Sequence, residues 1–179
     1  LEVKKSLLGP FDFSVSLGTA VDAPEKMPLS LESARNAMTE RLIQGTGRLL
    51  DTVPPGSGIE KQNLLDKYIK VMEHSVDSLS TAEAGDACRM LETEALGLDN
   101  ICGREILELV LSAGRLFIAR TALSNVEEIQ QEFVNSCSQC RTAAELFGRL
   151  AQIQERLLSE ARELRSSEAA RPIRIAKQY

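Results

Sequence analysis

Aromatic side chains are scarce in this chain. They make up 4% of its residues, and Trp is absent. Strands favour aromatic and β-branched residues, so a core of Leu, Ile, Val, Ala and Met fits packed helices better than a β-sandwich. The 179 residues, 43% of them apolar, are enough for one domain with a real core. The composition therefore predicts an all-α protein.

Residues that carry metal and redox chemistry are also few. The only His is His74, which cannot form the paired ligand sets of zinc or di-iron bundles. Cys137 and Cys140 form a CxxC motif, but they lie on the apolar face of a predicted helix, far from the N-terminus that would activate a thiol. Cys102 lies in the first turn of a predicted helix, yet there is no second His to act as its base. We therefore interpret the cysteines as core residues and expect no metal, cofactor or catalytic site.

Positive charge is in the minority. The net charge is −5 and the isoelectric point is about 5.1, which argues against a nucleic-acid-binding protein. The charge is unevenly distributed: residues 60–108 hold 11 acids and 5 bases, a balance of −6, whereas residues 149–179 hold 7 bases and 4 acids, a balance of +3. These two segments are expected to attract each other within one molecule or between molecules.

No apolar run approaches the ~18 residues of a membrane span, and the N-terminus does not resemble a signal peptide. A cytoplasmic location is the default expectation, and membrane binding is not favoured. The chain begins with Leu1 rather than Met, which suggests a piece of a longer protein.

Three Ser-x-x-Glu motifs mark helix starts, because a Ser at the cap and a Glu three residues later satisfy two unpaired backbone amides. They begin at Ser57, Ser80 and Ser124. A first helix is predicted from Ser30 to about Val53. The motifs and the apolar spacing then predict helices over 58–79, 81–96, 100–122 (capped by Asp99 or Asn100) and 125–165.

The fourth of these helices is apolar nearly all round, which predicts a central position. The last is the longest. Its apolar or small residues recur every three or four positions, and about 40 residues would span roughly 60 Å, more than the ~40 Å diameter of a domain this size. We therefore predict a five-helix bundle with one over-long C-terminal helix. Gly148 is where this helix is expected to bend back or to leave the domain. The stripe consists of Val126, Ile129, Phe133, Cys137, Cys140, Ala144, Phe147, Ala151, Leu158, Ala161 and Leu164, interrupted by Gln154.

The two ends of the chain are predicted to be extended. Residues 11–17 alternate apolar and polar, as a strand does. We interpret them as part of a flexible arm with one transient strand; the alternative is that they pair with 173–175 or with the sheet edge of a partner. Pro172 predicts that the helix ends before a basic tail at 171–179. The domain prediction is an arm at 1–29, a helical bundle at 30–148, and a continuation of the last helix with its tail at 149–179.

The excess length of the last helix is the main functional clue. An apolar stripe that outruns the bundle should bind another helix, so we expect a non-enzymatic protein–protein interaction module: an adaptor, scaffold or assembly component that self-associates or binds a protein partner. One alternative is an α-helical enzyme or small-ligand binder with Glu105, Arg115 or Arg120 in an internal pocket; another is a peripheral membrane module that uses the basic tail. The residues predicted to bind the partner are Arg149, Leu150, Arg156, Leu157, Leu158, Ala161, Arg162, Leu164 and Arg165.

Overall fold

The described part of the protein is mainly α-helical, as its composition predicts. The computed structural model describes residues 13–51, 53, 58–121 and 124–176, of which 58–60 and 168–176 by their backbone alone. Within these residues there are six α-helices of at least 13 residues, one helix of four residues and one sheet of two short strands. In chain order the elements are β1 (Val15–Ser16), a 3-10 turn (Pro24–Lys26), α1 (Met27–Thr39), α2 (Arg41–Gln44), β2 (Leu49–Leu50), α3 (Gly58–Ser78), α4 (Thr81–Leu96), α5 (Gly103–Arg120), α6 (Val126–Ser138) and α7 (Ala143–Ala176).

Helix α5 lies at the centre of the fold, as its nearly continuous apolar surface predicts. It contacts α3, α6 and α7 of the bundle and also α1 and α2. Ile106 and Phe117 are completely buried, and both belong to the main apolar core. Gly114 lets α6 approach closely, because a Cβ atom at this position would overlap the ring of Phe133. Helix α4 packs against α3 and α7 and closes the other side of the core.

The predicted C-terminal helix is in fact two helices. Helix α6 ends at Ser138, and α7 begins at Ala143 after a short link. The prediction of one helix over 125–165 was wrong because Cys137 and Cys140 are both buried, which continues the helical spacing across the break. A new cap starts α7: the amide of Glu145 donates to Thr142 Oγ1 at 3.2 Å, and the Glu145 carboxylate accepts from the amide of Arg141 at 2.7 Å.

Helix α7 is nevertheless long. Its 34 residues span about 50 Å. Gly148 is an ordinary position within the helix, and the core continues beyond it to Leu158, so the helix neither bends back nor leaves the core there. The helix also continues through Pro172 to Ala176, so the prediction of an extended tail from 171 was wrong as far as the described residues go.

The predicted first helix is also divided. It begins at Met27 rather than after Ser30, ends at Thr39, and is followed by α2 and then by β2. The interruption comes from Gly45 and Gly47, which adopt φ values of 83° and 77°. Glycine adopts such angles without strain, so these residues turn the chain out of the helix and into a strand.

The N-terminal arm pairs within the chain, but not with the predicted partner. Strand β1 lies parallel to β2, with Val15 opposite Leu49 and Ser16 opposite Leu50. The predicted partner, 173–175, belongs to α7. The first predicted residues of the strand, 11 and 12, lie outside the described part of the chain.

The predicted helix starts are partly confirmed. Ser80 caps α4 by accepting a hydrogen bond from the amide of Glu83 at 3.3 Å. Ser124 does not cap α6, because the residue before the helix is Asn125 in a left-handed conformation. Neither Asp99 nor Asn100 caps α5. Cys102 occupies that position, and its amide donates to the Glu105 carboxylate at 3.1 Å. The third motif, at Ser57, lies outside the described residues.

Two adjacent charged residues attach the N-terminal elements to the bundle. The Glu40 carboxylate accepts a hydrogen bond from the amide of Gly103 at the N-terminus of α5, at 2.8 Å. The Arg41 guanidinium donates to the carbonyl oxygen of Ser138, the last residue of α6, at 3.3 Å, and to that of Cys140, just beyond the helix, at 3.1 Å. A helix N-terminus favours negative charge and a C-terminus favours positive charge, so both residues match the helix end they contact.

Candidate interaction site

Helix α7 buries one part of the predicted partner-binding set in the core of its own chain. Leu150, Leu157 and Leu158 have no exposed surface, and Ala161 is half-buried against the same core. They are covered because this part of α7 packs against α4 and α5. These three leucines are therefore not available to a partner, and the prediction has to be corrected to the residues that follow them.

Two arginines of this set, Arg149 and Arg156, have side-chain partners within the chain. Arg156 makes two hydrogen bonds to the Glu132 carboxylate, at 3.0 and 3.1 Å, and so ties α7 to α6. These bonds hold the pKa of Glu132 below its usual value. Arg149 donates to Gln152 Oε1 at 3.0 Å. The cavity of about 260 Å³ between α6 and α7 is lined by these same polar groups.

Beyond the core, the exposed residues of α7 lie beside the ends of two other helices. Arg162 donates to the carbonyl oxygen of Leu79, where the chain turns from α3 into α4. Leu164 is 55% exposed. With Arg165 it borders an open groove of about 370 Å³, which we call the arginine groove. The residues that line this groove are Val76, Asp77, Leu79, Arg120, Thr121, Ala161, Leu164 and Arg165.

The residues considered for internal catalysis do not converge. Glu105 is buried near the start of α5, whereas Arg115 and Arg120 are exposed near its end. About ten or more residues of helix at ~1.5 Å each separate Glu105 from the two arginines. Glu94 and Glu108 form separate surface ion pairs with Lys67 and Lys61.

The four thiols are buried rather than activated. Burial raises the pKa of Cys88 to about 11 and that of Cys137 to about 12, and it also raises the pKa values of Cys102 and Cys140. A thiolate is the reactive form, so these shifts oppose reactivity at neutral pH. Within the described residues, no three potential metal ligands come together.

His74 lies on the surface. Its side chain is 74% exposed, and Nδ1 is 2.8 Å from the Glu83 carboxylate. This hydrogen bond and a second one from Ser78 lower the pKa of Glu83. The contact ties the end of α3 to the start of α4, and it explains why Glu83 does not complete the cap at Ser80.

A concentration of exposed apolar residues in the N-terminal elements was not predicted from the sequence. Eight of the eleven exposed large hydrophobic residues fall between residues 13 and 53. On the small sheet, Val15 and Leu49 lie side by side and are 43% and 48% exposed, while Leu50 faces inward at 1%. Parallel sheets usually have both faces covered, so this outer face is unusual. The alternation at 11–17 was the available signal, but the second strand was hidden in a predicted helix. The eight residues are Val15, Leu17, Met27, Leu29, Leu31, Ile43, Leu49 and Val53.

Comparison of the chain with protein-family models, with curated proteins and with solved structures gives no match. In the part of the chain that the structure describes, no helix has both the length and the apolar character that crossing a membrane requires. The fold places the protein in the all-α class. Its exposed surfaces are therefore the evidence from which a function has to be inferred.

Proposed function

We propose that this protein is a non-enzymatic protein–protein interaction module, in which the exposed end of α7 binds a second copy or a protein partner. One observation carries the proposal. The fully buried positions of α7 end at Leu158, yet the helix backbone continues to Ala176. Every described side chain from Arg162 to Ser167 is exposed.

The length of this exposed end supports a binding role. From Arg162 to Ala176 the helix extends for about 22 Å, at ~1.5 Å per residue. Helices of this length are marginal in water by themselves, and most helical stability in proteins comes from packing one face against a neighbour. A partner that packs against Leu164 would supply such a face.

A truncation that removes residues 163–179 tests the proposal. The cut falls after the core positions, because a cut at 150 would remove Leu157 and Leu158 and unfold the bundle. We expect the truncated protein to keep the thermal unfolding of the full chain but to lose its assembly. Light scattering after size exclusion measures self-association, and chemical cross-linking in a native extract measures partner binding.

A shorter truncation serves as the control. Removal of residues 177–179 leaves the whole of α7 in place, so assembly should be unchanged. The proposal is wrong if the longer truncation changes neither the solution mass nor the set of cross-linked proteins. Loss of cooperative unfolding in the longer truncation would instead show that the exposed end stabilises its own bundle, which also contradicts the proposal.

A further inference from the structure

The arginine groove has an apolar floor. Val76 and Leu79 lie at its base, 9% and 8% exposed, and belong to the main core. Leu164 forms part of its wall and leaves more than half of its surface in water. An apolar side chain that enters the groove would bury the exposed surface of Leu164, which favours binding by about 25 cal/mol per Å² of apolar area, while Val76 and Leu79 add only the small part of their surface that is still exposed.

The charges around this floor are mainly positive. Arg120 and Arg165 border the groove, and Asp77 is the only acid among the lining residues described. The nearest atoms of Arg120 and Asp77 are 3.8 Å apart, and the two side chains are 51% and 72% exposed. The two side chains therefore form an exposed ion pair, but this distance is longer than the ~2.7–2.9 Å of a charge-assisted hydrogen bond, so the donors of Arg120 can still bind a second carboxylate. The groove therefore presents guanidinium groups to an incoming carboxylate.

The position of the groove is fixed by the fold. Helices α3 and α5 both end beside it, and the Arg162 side chain holds the carbonyl oxygen of Leu79. Arg162 thereby ties the exposed end of α7 to the turn between α3 and α4. A partner would meet a groove whose floor and walls are already in place, which reduces the entropy lost on binding.

We infer that the arginine groove binds an acidic amphipathic segment of a protein partner. An apolar side chain of the segment occupies the floor, and carboxylates on either side of it pair with Arg120 and Arg165. Guanidinium groups suit this role because their planar donors match a carboxylate in two-point contacts. A phosphate-rich surface would match the arginines but would gain nothing from the apolar floor. This inference rests on the proposed function, and it specifies the chemistry of the partner.

A random peptide library selected on the full-length protein tests this inference. We expect enriched peptides to carry Asp or Glu beside Leu, Ile or Phe. The double variant Arg120→Gln/Arg165→Gln should bind a synthetic copy of the best peptide about tenfold or more weakly, as expected when about 1.4 kcal/mol of charge pairing is lost. The matched control Arg115→Gln/Arg141→Gln changes the net charge equally at two other exposed arginines and should bind as the wild type does.

Three results would overturn the inference. One is a selection that yields no enriched peptide or only peptides without carboxylates. Another is equal binding by wild type and groove variant. The third is binding of vesicles that contain phosphatidylserine, lost in the groove variant, without any peptide binding. If any of these occurs while removal of residues 163–179 still abolishes assembly, the interaction module stands and only the acidic-segment assignment fails.

Discussion

Replacement of Tyr68 by Phe tests a polar contact in the middle of the core. The Tyr68 hydroxyl on α3 accepts a hydrogen bond from Gln154 Nε2 on α7 at 2.6 Å, and both side chains are at most 1% exposed. Gln154 Oε1 is also buried, and no partner for it occurs among the described residues. Burial raises the pKa of Tyr68, so the hydroxyl stays protonated. This contact explains why a Gln interrupts the apolar stripe of α7.

The expected loss of stability follows from the partners involved. In Tyr68→Phe, the amide nitrogen of Gln154 is left buried without its acceptor, which costs about 1–3 kcal/mol. For a protein of this size each kcal/mol corresponds to about 2–4 °C in Tm. The melting temperature should therefore fall by about 2–12 °C. Urea unfolding followed by far-UV circular dichroism measures the same loss of stability as a difference in the free energy of unfolding.

The double variant Tyr68→Phe/Gln154→Leu makes the test selective. It removes the hydroxyl, its donor and the unpaired oxygen together, and replacing both partners by apolar groups can be neutral or stabilising. We expect it to be at least as stable as the wild type, with a coupling energy of about 0.5–3 kcal/mol between the two sites. Additive effects, or a double variant less stable than Tyr68→Phe alone, would refute this account of the contact.

Three further predictions concern the N-terminal attachment and the small sheet. Gly103→Ala should destabilise the protein by about 1–3 kcal/mol in urea unfolding, because its Cβ would overlap the carbonyl oxygen at the end of α1. The control Gly148→Ala should be neutral or stabilising, because a Cβ atom there meets nothing within 4 Å. Burial raises the pKa of Glu40 above 4.5, so folding takes up a proton there and the wild type loses stability as the pH rises through the region above 4.5. Glu40→Gln removes this dependence. The urea midpoint of the variant relative to that of the wild type should therefore increase as the pH rises above 4.5. A difference in midpoint that does not change with pH would contradict the assignment. Leu50→Ala should cost about 2–5 kcal/mol by thermal unfolding and the exposed Leu49→Ala about 0.5 or less, and equal losses would show that the strand faces are misassigned.

Local signals predicted those helices whose ends and covered faces are set by nearby residues. The apolar spacing and the cap at Ser80 gave the second and third predicted helices nearly the bounds of α3 and α4. The break before α7 was missed, although Thr142 and Glu145 form the same cap pattern that marks Ser80. The reason is that Cys140 is buried in the link at a helical distance from Cys137, so the spacing alone does not reveal the break.

The candidate site was harder to predict, because an apolar stripe shows that a helix face is covered but does not show what covers it. Leu157 and Leu158 were assigned to a partner and are covered by their own chain. The arginine groove combines Leu79, Arg120 and Leu164, which come from three separate parts of the sequence. No periodicity within one segment can bring such residues together, so the groove appears only in the folded structure.

The attachment of the N-terminal elements by Glu40 and Arg41 could not be predicted from the sequence either. Their partners lie 63 and 99 residues away and are backbone groups at helix ends. Every residue has such backbone groups, so the sequence does not show which of them a distant side chain will contact. The two residues also act in opposite senses, since one meets the positive end of α5 and the other the negative end of α6. From the sequence alone, two neighbouring residues of opposite charge are expected to lie on the solvated surface. In the fold they attach the N-terminal elements, which carry most of the exposed large apolar residues, to two helix ends of the bundle.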